Sequence, residues 1–376
     1  MTIRRVAFGV LVLAAASSSV AAQGLDRVIA AARYERYSFK LGGVELGSVS
    51  ELTVPVGFDA DLGRLLTVAV SSGYASITVS SPDTADVTVS GVLDTEIRLG
   101  VNLIPGSLIF VVTGVIPTGI KTLNQAEASV LGALSIDVIG FSAPSIGSGG
   151  AIGGGLVGAV PIGRWALGLG ATYKYGLSYE PLTGSTAELR VGPELRGRVG
   201  LEGPLGRRTY LRIAGIYAAR GKDTFQDSTQ NGVGNRLIGY VALTQGFGNS
   251  QLVVYSFDVY RDGPRVEPTA VGRALLPKGN LLAGGFRFDL RLGRSTTITP
   301  RAEIRTSWSA VDTTDTKLHR AGYAVRFGVD LGQDLSPRVR AVFQVDGLKG
   351  DARDDPTTPF VDFDGFRVGI FLTVRP

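Results

Sequence analysis

The chain has one histidine and no cysteine, so few of its side chains could act as a base or a nucleophile. His319 directly precedes Arg320 and follows Lys317 by two residues, and Asp312 and Asp315 lie shortly before it. Two neighbouring cations disfavour the charged imidazolium, and no partner that would orient a general base is evident. A loop or membrane-interface position is the better interpretation of His319. We therefore expect no catalytic residue and no enzymatic activity.

Patterns that could bind a metal or a phosphate are weaker still. Asp351, Asp354 and Asp355 could attract a divalent cation, but a solvated loop is the better interpretation. The glycine-rich runs at 147–150 and 153–155 open a predicted strand rather than a helix, so they do not form a phosphate loop. Without cysteine there is no thiolate zinc site and no disulfide scaffold. We expect no metal and no cofactor.

Charged residues instead recur at alternate positions, as in Arg301, Glu303 and Arg305. Successive side chains of a strand point to opposite faces, so this period places charges on one face and apolar residues on the other. Opposite charges on adjacent strands can pair and brace a sheet, whereas arginine can also bind anions or carboxylates of a passing solute. For any single charged residue we favour pairing across strands over solute binding. Both roles can occur in the same wall. The net charge of +5 is small and scattered, so nucleic acid is not an expected partner.

The stretch RWALGLGATYKYGLSY, residues 164–179, indicates what surrounds such strands. Alternate residues from Trp165 to Tyr179 are apolar or aromatic, and those between them are small or polar, including Lys174. Segments of this kind are long enough to cross a bilayer at a tilt, and aromatic residues lie near their ends. A soluble β-sandwich uses shorter strands and needs no terminal aromatics. The pattern predicts an all-β fold, an antiparallel transmembrane β-barrel.

Hydrocarbon cannot satisfy a charge, so the apolar face of each strand should contact lipid and the polar face should line the lumen. The predicted lumen-lining residues are Asp94, Glu96, Arg98, Lys174, Glu188, Arg190, Glu194, Arg196, Arg198, Arg287, Asp289, Arg291, Arg301, Glu303, Arg305, Arg326, Asp330 and Arg340. The predicted aromatic girdle at the two membrane interfaces consists of Trp165, Tyr179, Tyr217, Tyr255, Trp308 and Tyr323.

Short and long connections alternate along the chain. Tight turns at 104–106, 161–163, 248–250 and 293–295 separate long polar connections at 118–147, 221–234, 261–279 and 349–361. This asymmetry is typical of outer-membrane barrels, which have short periplasmic turns and long extracellular loops. Counting from Arg64 gives about fourteen strands. Residues 23–63 either plug the barrel or add a hairpin that brings the count to about sixteen, and both alternatives stay open.

The N-terminus has the pattern of a secretory signal peptide. Arg4 and Arg5 precede an apolar run from Val6 to Ala16, and small residues at 20–22 offer a cleavage site. We predict a signal peptide at 1–22, an N-terminal segment at 23–63 and a barrel at 64–376. The predicted location is the cell outer membrane.

Two short motifs resemble those of the FadL-like outer-membrane channels and their relatives associated with aromatic-compound pathways. Gly91–Thr95 begins a strand with a lumen-facing charge, and Val115–Gly119 carries Pro-Thr-Gly one hairpin later, before a partly helical loop at 123–134. The resemblance implies passive uptake of small, mostly hydrophobic molecules. The chain departs from the group at its end, where Thr373–Pro376 replaces the terminal aromatic that the barrel insertion machinery recognises.

The sequence thus predicts an outer-membrane channel for passive uptake of small solutes, with hydrophobic or amphipathic molecules preferred and a general diffusion porin as the alternative. A barrel hydrolase, whose activity His319→Ala would abolish, and a structural or adhesive barrel are further alternatives. The expected partners are outer-membrane lipid, a small-molecule solute and the barrel insertion machinery. The solute and the oligomeric state are not predicted.

Overall fold

The computed structural model describes residues 25–120, 122–124, 126–128, 130, 134, 136–143, 147–229, 234–263, 278–311, 315, 317–353 and 357–375. The predicted signal peptide at 1–22 lies outside this part of the chain, as does Asp312. Among the described residues, no helix is long and apolar enough to cross a membrane.

The secondary structure is almost entirely β. The strands are β1 (Leu25–Leu41), β2 (Val44–Leu62), β3 (Leu66–Ser81), β4 (Thr84–Val92), β5 (Thr95–Ile104), β6 (Leu108–Ile116), β7 (Ala151–Ile162), β8 (Trp165–Gly176), β9 (Ser178–Tyr179), β10 (Leu189–Arg190), β11 (Glu194–Pro204), β12 (Thr209–Arg220), β13 (Thr224–Phe225), β14 (Ser228–Thr229), β15 (Arg236–Phe247), β16 (Ser250–Arg261), β17 (Gly279–Leu292), β18 (Thr296–Ser309), β19 (His319–Asp334), β20 (Val339–Ala352) and β21 (Val361–Val374).

The long strands close into a barrel. Each pairs antiparallel with its neighbours, and β1 pairs with both β2 and β21, so the described wall has no open edge. β4 pairs with Tyr74–Ser81 of β3, and β5 pairs with Leu66–Ser71 of the same strand. The two segments together therefore occupy one strand position in the wall. The described wall then has sixteen strand positions with one extra strand segment. The transmembrane barrel prediction is confirmed: fourteen of these positions follow Arg64, as predicted, and the predicted alternative of about sixteen strands is the one observed.

The N-terminal region supplies the two additional strands. β1 and β2 form a hairpin in the wall, joined at Gly42 and Gly43, whose φ angles of 58° and 87° suit glycine. The plug alternative for this region is therefore wrong for residues 25–62. The sequence left it open because both helix-like and strand-like patterns run through 24–58.

The two ends of the barrel differ. Both described termini and the connections at 63–65, 105–107, 163–164, 205–208, 248–249, 293–295 and 335–338 lie at one end, here named the turn end. The opposite loop end carries the two-residue connections at 42–43 and 82–83 and the longer connections that follow Ile116, Gly176, Arg220, Arg261, Ser309 and Ala352. The predicted alternation of short turns and long loops is confirmed.

Large apolar side chains cover the outside of the wall. On β8 and β11, Leu169 and Val199 face outward and are half exposed, and Phe327 on β19 is 64% exposed. A belt of this kind is stable only against hydrocarbon, because water would face a continuous apolar surface. The alternating stretch at 164–179 thus contains one wall strand, Trp165–Gly176, with its apolar face outward.

Candidate functional site within the lumen

The β6–β7 connection folds into the barrel rather than away from it. We name its described residues between 117 and 150 the inserted segment. Asp94, at the break between β4 and β5, clamps its base: one carboxylate oxygen accepts from Gly119 N at 3.0 Å, and the other accepts from Ser148 N and Oγ, both at 2.7 Å. Both ends of the segment are therefore tied to one wall position.

A hydrophobic cluster attaches the inserted segment to one side of the lumen. Val130, Val138 and Ile139 of the segment are fully buried against the inner faces of β1–β4 and β19–β21. The Phe141 ring meets the ring of Tyr37 edge-on at a centroid distance of 5.4 Å. Burial of this apolar surface favours a segment that lies on the wall over one that extends into solvent.

Buried polar contacts, here named the latch, hold the tip of the segment. Glu35 accepts from Arg367 Nη2 at 2.6 Å, from Tyr37 Oη at 2.7 Å and from Ser142 N at 3.1 Å, and also from the Ser142 hydroxyl. Glu51 accepts from Ala143 N at 2.6 Å. Both glutamates are almost completely buried.

Two arginines also bind backbone carbonyls of the segment. Arg367 donates to Gly140 O at 3.1 Å, and Arg326 donates to Ile139 O at 2.8 Å. Backbone groups of a loop buried without partners would cost free energy, and these donors remove that cost. The segment therefore takes a defined position inside the barrel.

The wall behind the segment is charge-paired. Arg301 contacts Asp346 at 2.7 Å and Asp330 at 3.2 Å, and Arg305 Nε contacts Glu303 Oε1 at 2.7 Å. These contacts correspond to the bracing interpretation, because Arg301 and Arg305 each have a carboxylate on their own or an adjacent strand. We name the inner faces of β18–β21 and β1–β5 the paired side.

The opposite wall has an excess of positive charge, and we name it the cationic arc. It consists of the inner faces of β8, β11, β12 and β15–β17. Its cations are Lys174, Arg196, Arg198, Arg212, Arg220, Arg236, Arg261, Arg287 and Arg291, and its carboxylates are Glu194, Glu202 and Asp289. Among the described residues, Lys174, Arg198, Arg236 and Arg291 have no carboxylate within ion-pair distance.

A cavity of about 560 Å³ lies along the arc. Tyr210, Arg212, Tyr240 and Arg287 of the arc line it, together with Arg301 of the paired side. Free space in the lumen therefore borders the cationic arc, on the side away from the inserted segment.

Most predicted lumen residues stand on the inner face of the wall. These are Glu96, Arg98, Lys174, Glu194, Arg196, Arg198, Arg287, Asp289, Arg291, Arg301, Glu303, Arg305, Arg326, Asp330 and Arg340. Asp94 also points inward, but from the strand break rather than from a strand. The alternating charges that the sequence predicts in the lumen are thus divided between the paired side and the cationic arc.

Two predicted lumen positions are corrected. Glu188 and Arg190 lie outside the wall: Arg190 belongs to β10 of a four-stranded loop sheet formed by β9, β10, β13 and β14. Its guanidinium bonds the outward-facing Tyr175 hydroxyl at 2.8 Å. The wall strand β11 begins only at Glu194, because Pro193 has no N–H to continue the ladder toward Arg190.

The girdle prediction is corrected at Tyr255 and Tyr179. Tyr255 faces the lumen and donates to Glu303 Oε2 at 2.7 Å. Both faces of β16 are largely apolar, so its orientation left no clear signal in the sequence. Tyr179 belongs to β9 of the loop sheet, beyond the end of β8 at Gly176.

The other girdle candidates stand at outward positions of wall strands. Tyr217 and Tyr323 are exposed on the outside of β12 and β19, and Trp308 has the outward parity of β18. Trp165, beside the β7–β8 turn, covers Gly203, where a Cβ would have no room.

Sequence reasoning missed the latch and five of the twelve charged residues of the arc, namely Glu202, Arg212, Arg220, Arg236 and Arg261. Glu35 and Glu51 lie in the region left undecided, where their parity with Arg33 was the available signal. Asp346 has the same strand parity as Arg340 on β20, and this parity was the available signal. Arg367 sits among apolar residues of β21, and nothing in its local pattern indicated a partner 332 positions away.

Comparisons with known proteins give a likeness of fold only. No protein-family model matches the chain, and no curated protein matches it. Solved structures similar to it include OpdQ of Pseudomonas aeruginosa, with 11% identity over 93% of this chain and 98% of that one and a TM-score of 0.49. OccK7 (OpdD) of the same organism has 11% identity over 94% and 99%, with a TM-score of 0.45. The loop L8 deletion mutant of OmpT, an outer membrane protein of Vibrio cholerae, has 11% identity over 93% and 100%, with a TM-score of 0.43.

The prediction that the chain is not an enzyme is corrected. OmpT, an outer membrane protein of Vibrio cholerae, stands among the similar structures, and a likeness of fold at this level does not show that the chain lacks enzymatic activity. The partner that His319 lacked in the sequence also exists: His319 Nε2 lies 3.3 Å from Asp315 Oδ2 at the loop end. Backbone N–H groups of Lys317 and Val311 hold the pKa of the Asp315 carboxyl below its ordinary value. The categorical exclusion of catalysis is therefore withdrawn.

Proposed function

We propose that this protein is a passive outer-membrane channel for small solutes, with a passage that follows the cationic arc and favours anionic over cationic solutes. The observation that carries the proposal is the asymmetry of the lumen. The inserted segment is fastened to the paired side, and the remaining space borders a wall with nine cations and three carboxylates.

The physical basis for the anion preference is the field of an incompletely paired wall. Lys174 and Arg198 face the lumen without a carboxylate partner among the described residues. Charge of one sign in a narrow, low-dielectric passage raises the local concentration of the opposite ion. Polar anionic solutes thus have more support from this lining than the hydrophobic molecules that the sequence resemblance favoured.

The outer-membrane location and the signal peptide remain part of the proposal. An apolar outer belt, short turns at one end and long loops at the other support a bacterial outer-membrane barrel. The apolar run at 6–16 after Arg4 and Arg5 supports export.

Solute flux into liposomes tests the proposal. We expect liposomes with the folded barrel to take up acetate faster than a neutral amide of similar size, and the amide faster than tetramethylammonium. Liposomes with heat-unfolded protein are the control. No flux of any solute, or a flux that favours an uncharged aromatic hydrocarbon over acetate, would contradict it.

A further inference from the structure

Three arginines converge where the cationic arc meets the inserted segment, at the loop end of the lumen. Arg236 of β15 and Arg261 of β16 are directly opposite each other in the antiparallel register. Arg220 ends β12 on the same inner face, two residues beyond Ala218, which is the partner of Arg236. Like charges that oppose each other across a strand pair are destabilising unless something of opposite sign lies between them.

Among the described residues, two carboxylates lie near this charge. Glu194 is shared, since it accepts from Arg196 at 2.5 Å and from Arg220 at 2.8 Å. Asp137 of the inserted segment is half exposed and lies 3.7 Å from Arg261. The region therefore holds four guanidinium groups and two carboxylates among its described residues.

Arg236 has an unsatisfied hydrogen-bond donor. Its Nε is buried and has no acceptor among the residues that the structure describes. A buried donor without an acceptor costs free energy, and the cost is larger for a charged group. An oxyanion between Arg236 and its neighbours would satisfy this donor and relieve the repulsion of Arg261, since guanidinium forks bind planar carboxylates and phosphates.

We propose that Arg220, Arg236 and Arg261 form a binding station for a small solute that carries a phosphate or carboxylate group. The station stands at the loop-end mouth of the passage, beside Asp137 of the inserted segment. It rests on the proposed channel function, and it adds to it a saturable site with a defined ligand chemistry.

Calorimetry on the detergent-folded barrel tests the station, with inorganic phosphate and succinate as separate titrants. We expect saturable binding of at least one titrant to the wild type. Arg236→Gln should weaken it by at least about tenfold, because loss of a charged hydrogen bond is worth at least about 1.4 kcal/mol. Arg236→Lys should give an intermediate affinity, and Arg320→Gln, outside the lumen, should bind like the wild type.

The outcomes separate the station from the channel. Folding of each variant is checked by the mobility shift on heating in a gel. Equal affinity of folded wild type and folded Arg236→Gln, or no binding of either titrant to the wild type, would overturn the station. In planar bilayers the same preparations should show chloride steps that the bound anion reduces. Chloride steps without calorimetric binding would refute the station alone, and binding without chloride steps would refute the channel alone.

Discussion

The two sides of the lumen use the same residue types for different ends. On the paired side, Arg301 and Arg367 are matched by carboxylates at 2.6–3.2 Å, and Arg367 also donates to Gly140 O of the inserted segment. On the cationic arc, Lys174 and Arg198 point at open space with no such match among the described residues. Charge that is buried and paired fixes a structure, whereas charge that is exposed and unpaired acts on what passes by.

The largest effect should come from breaking the latch. Glu35→Ala leaves Arg367 buried without its carboxylate and removes the acceptor of Ser142, a change that costs about 3–5 kcal/mol. We expect a lower temperature for the heat-induced gel shift and a larger single-channel conductance, because the segment tip is released.

A double variant sharpens this prediction. Glu35→Leu with Arg367→Met replaces the buried pair by apolar groups, so it should be less destabilised than Glu35→Ala while it still raises the conductance. An unchanged conductance in both variants would show that the segment does not limit the passage.

The next effect concerns the arc. Removing both unpaired cations in Lys174→Gln with Arg198→Gln should shift the zero-current potential in a salt gradient toward cation preference, with little change in stability. Lys40→Gln, on the outer face and paired with Asp364, removes a cation outside the lumen and is the control. An equal shift in the control would contradict the assignment of the arc as the passage wall.

A smaller effect is expected at the base of the segment. Asp94→Asn weakens the contacts with Gly119 and Ser148, and we expect noisier open-channel current and a loss of about 1–3 kcal/mol in stability. Asp86→Asn, an exposed aspartate on β4, is the matched control and should leave the noise unchanged.

The smallest effect should come from an exposed pair on the paired side. Glu96 and Arg98 contact each other at 2.9 Å, but both are about half exposed. Glu96→Gln should change the stability by less than about 1 kcal/mol, as is usual for solvent-accessible pairs. A loss as large as that of Glu35→Ala would remove the distinction between buried and exposed pairing.

The sequence predicts the strands of the barrel wall well and the structure inside the lumen poorly. Alternation places Trp165, Leu167 and Lys174 on their observed faces, because a period of two leaves no other choice. It could not orient β16, where Tyr255 and its neighbours are apolar on both faces. It also could not show that the loop after β6 turns inward, because that depends on contacts between Ser142, Glu35 and Arg367, which are far apart in the chain.

Residues 25–62 also depend on long-range contacts that the sequence alone could not predict. Their strands are the longest of the wall, yet a plug remained an alternative because burial of Glu35 and Glu51 is meaningful only once the segment that covers them is known. Local pattern fixed the strands, and long-range polar contacts fixed what fills the barrel.

The most direct test of the account is the zero-current potential of the wild-type channel in a tenfold gradient of potassium chloride. If the passage follows the cationic arc, the zero-current potential should have the sign that chloride preference gives. Its magnitude should fall at high salt, because the wall charges are then screened. A potential of the opposite sign, from potassium preference, would contradict the central claim.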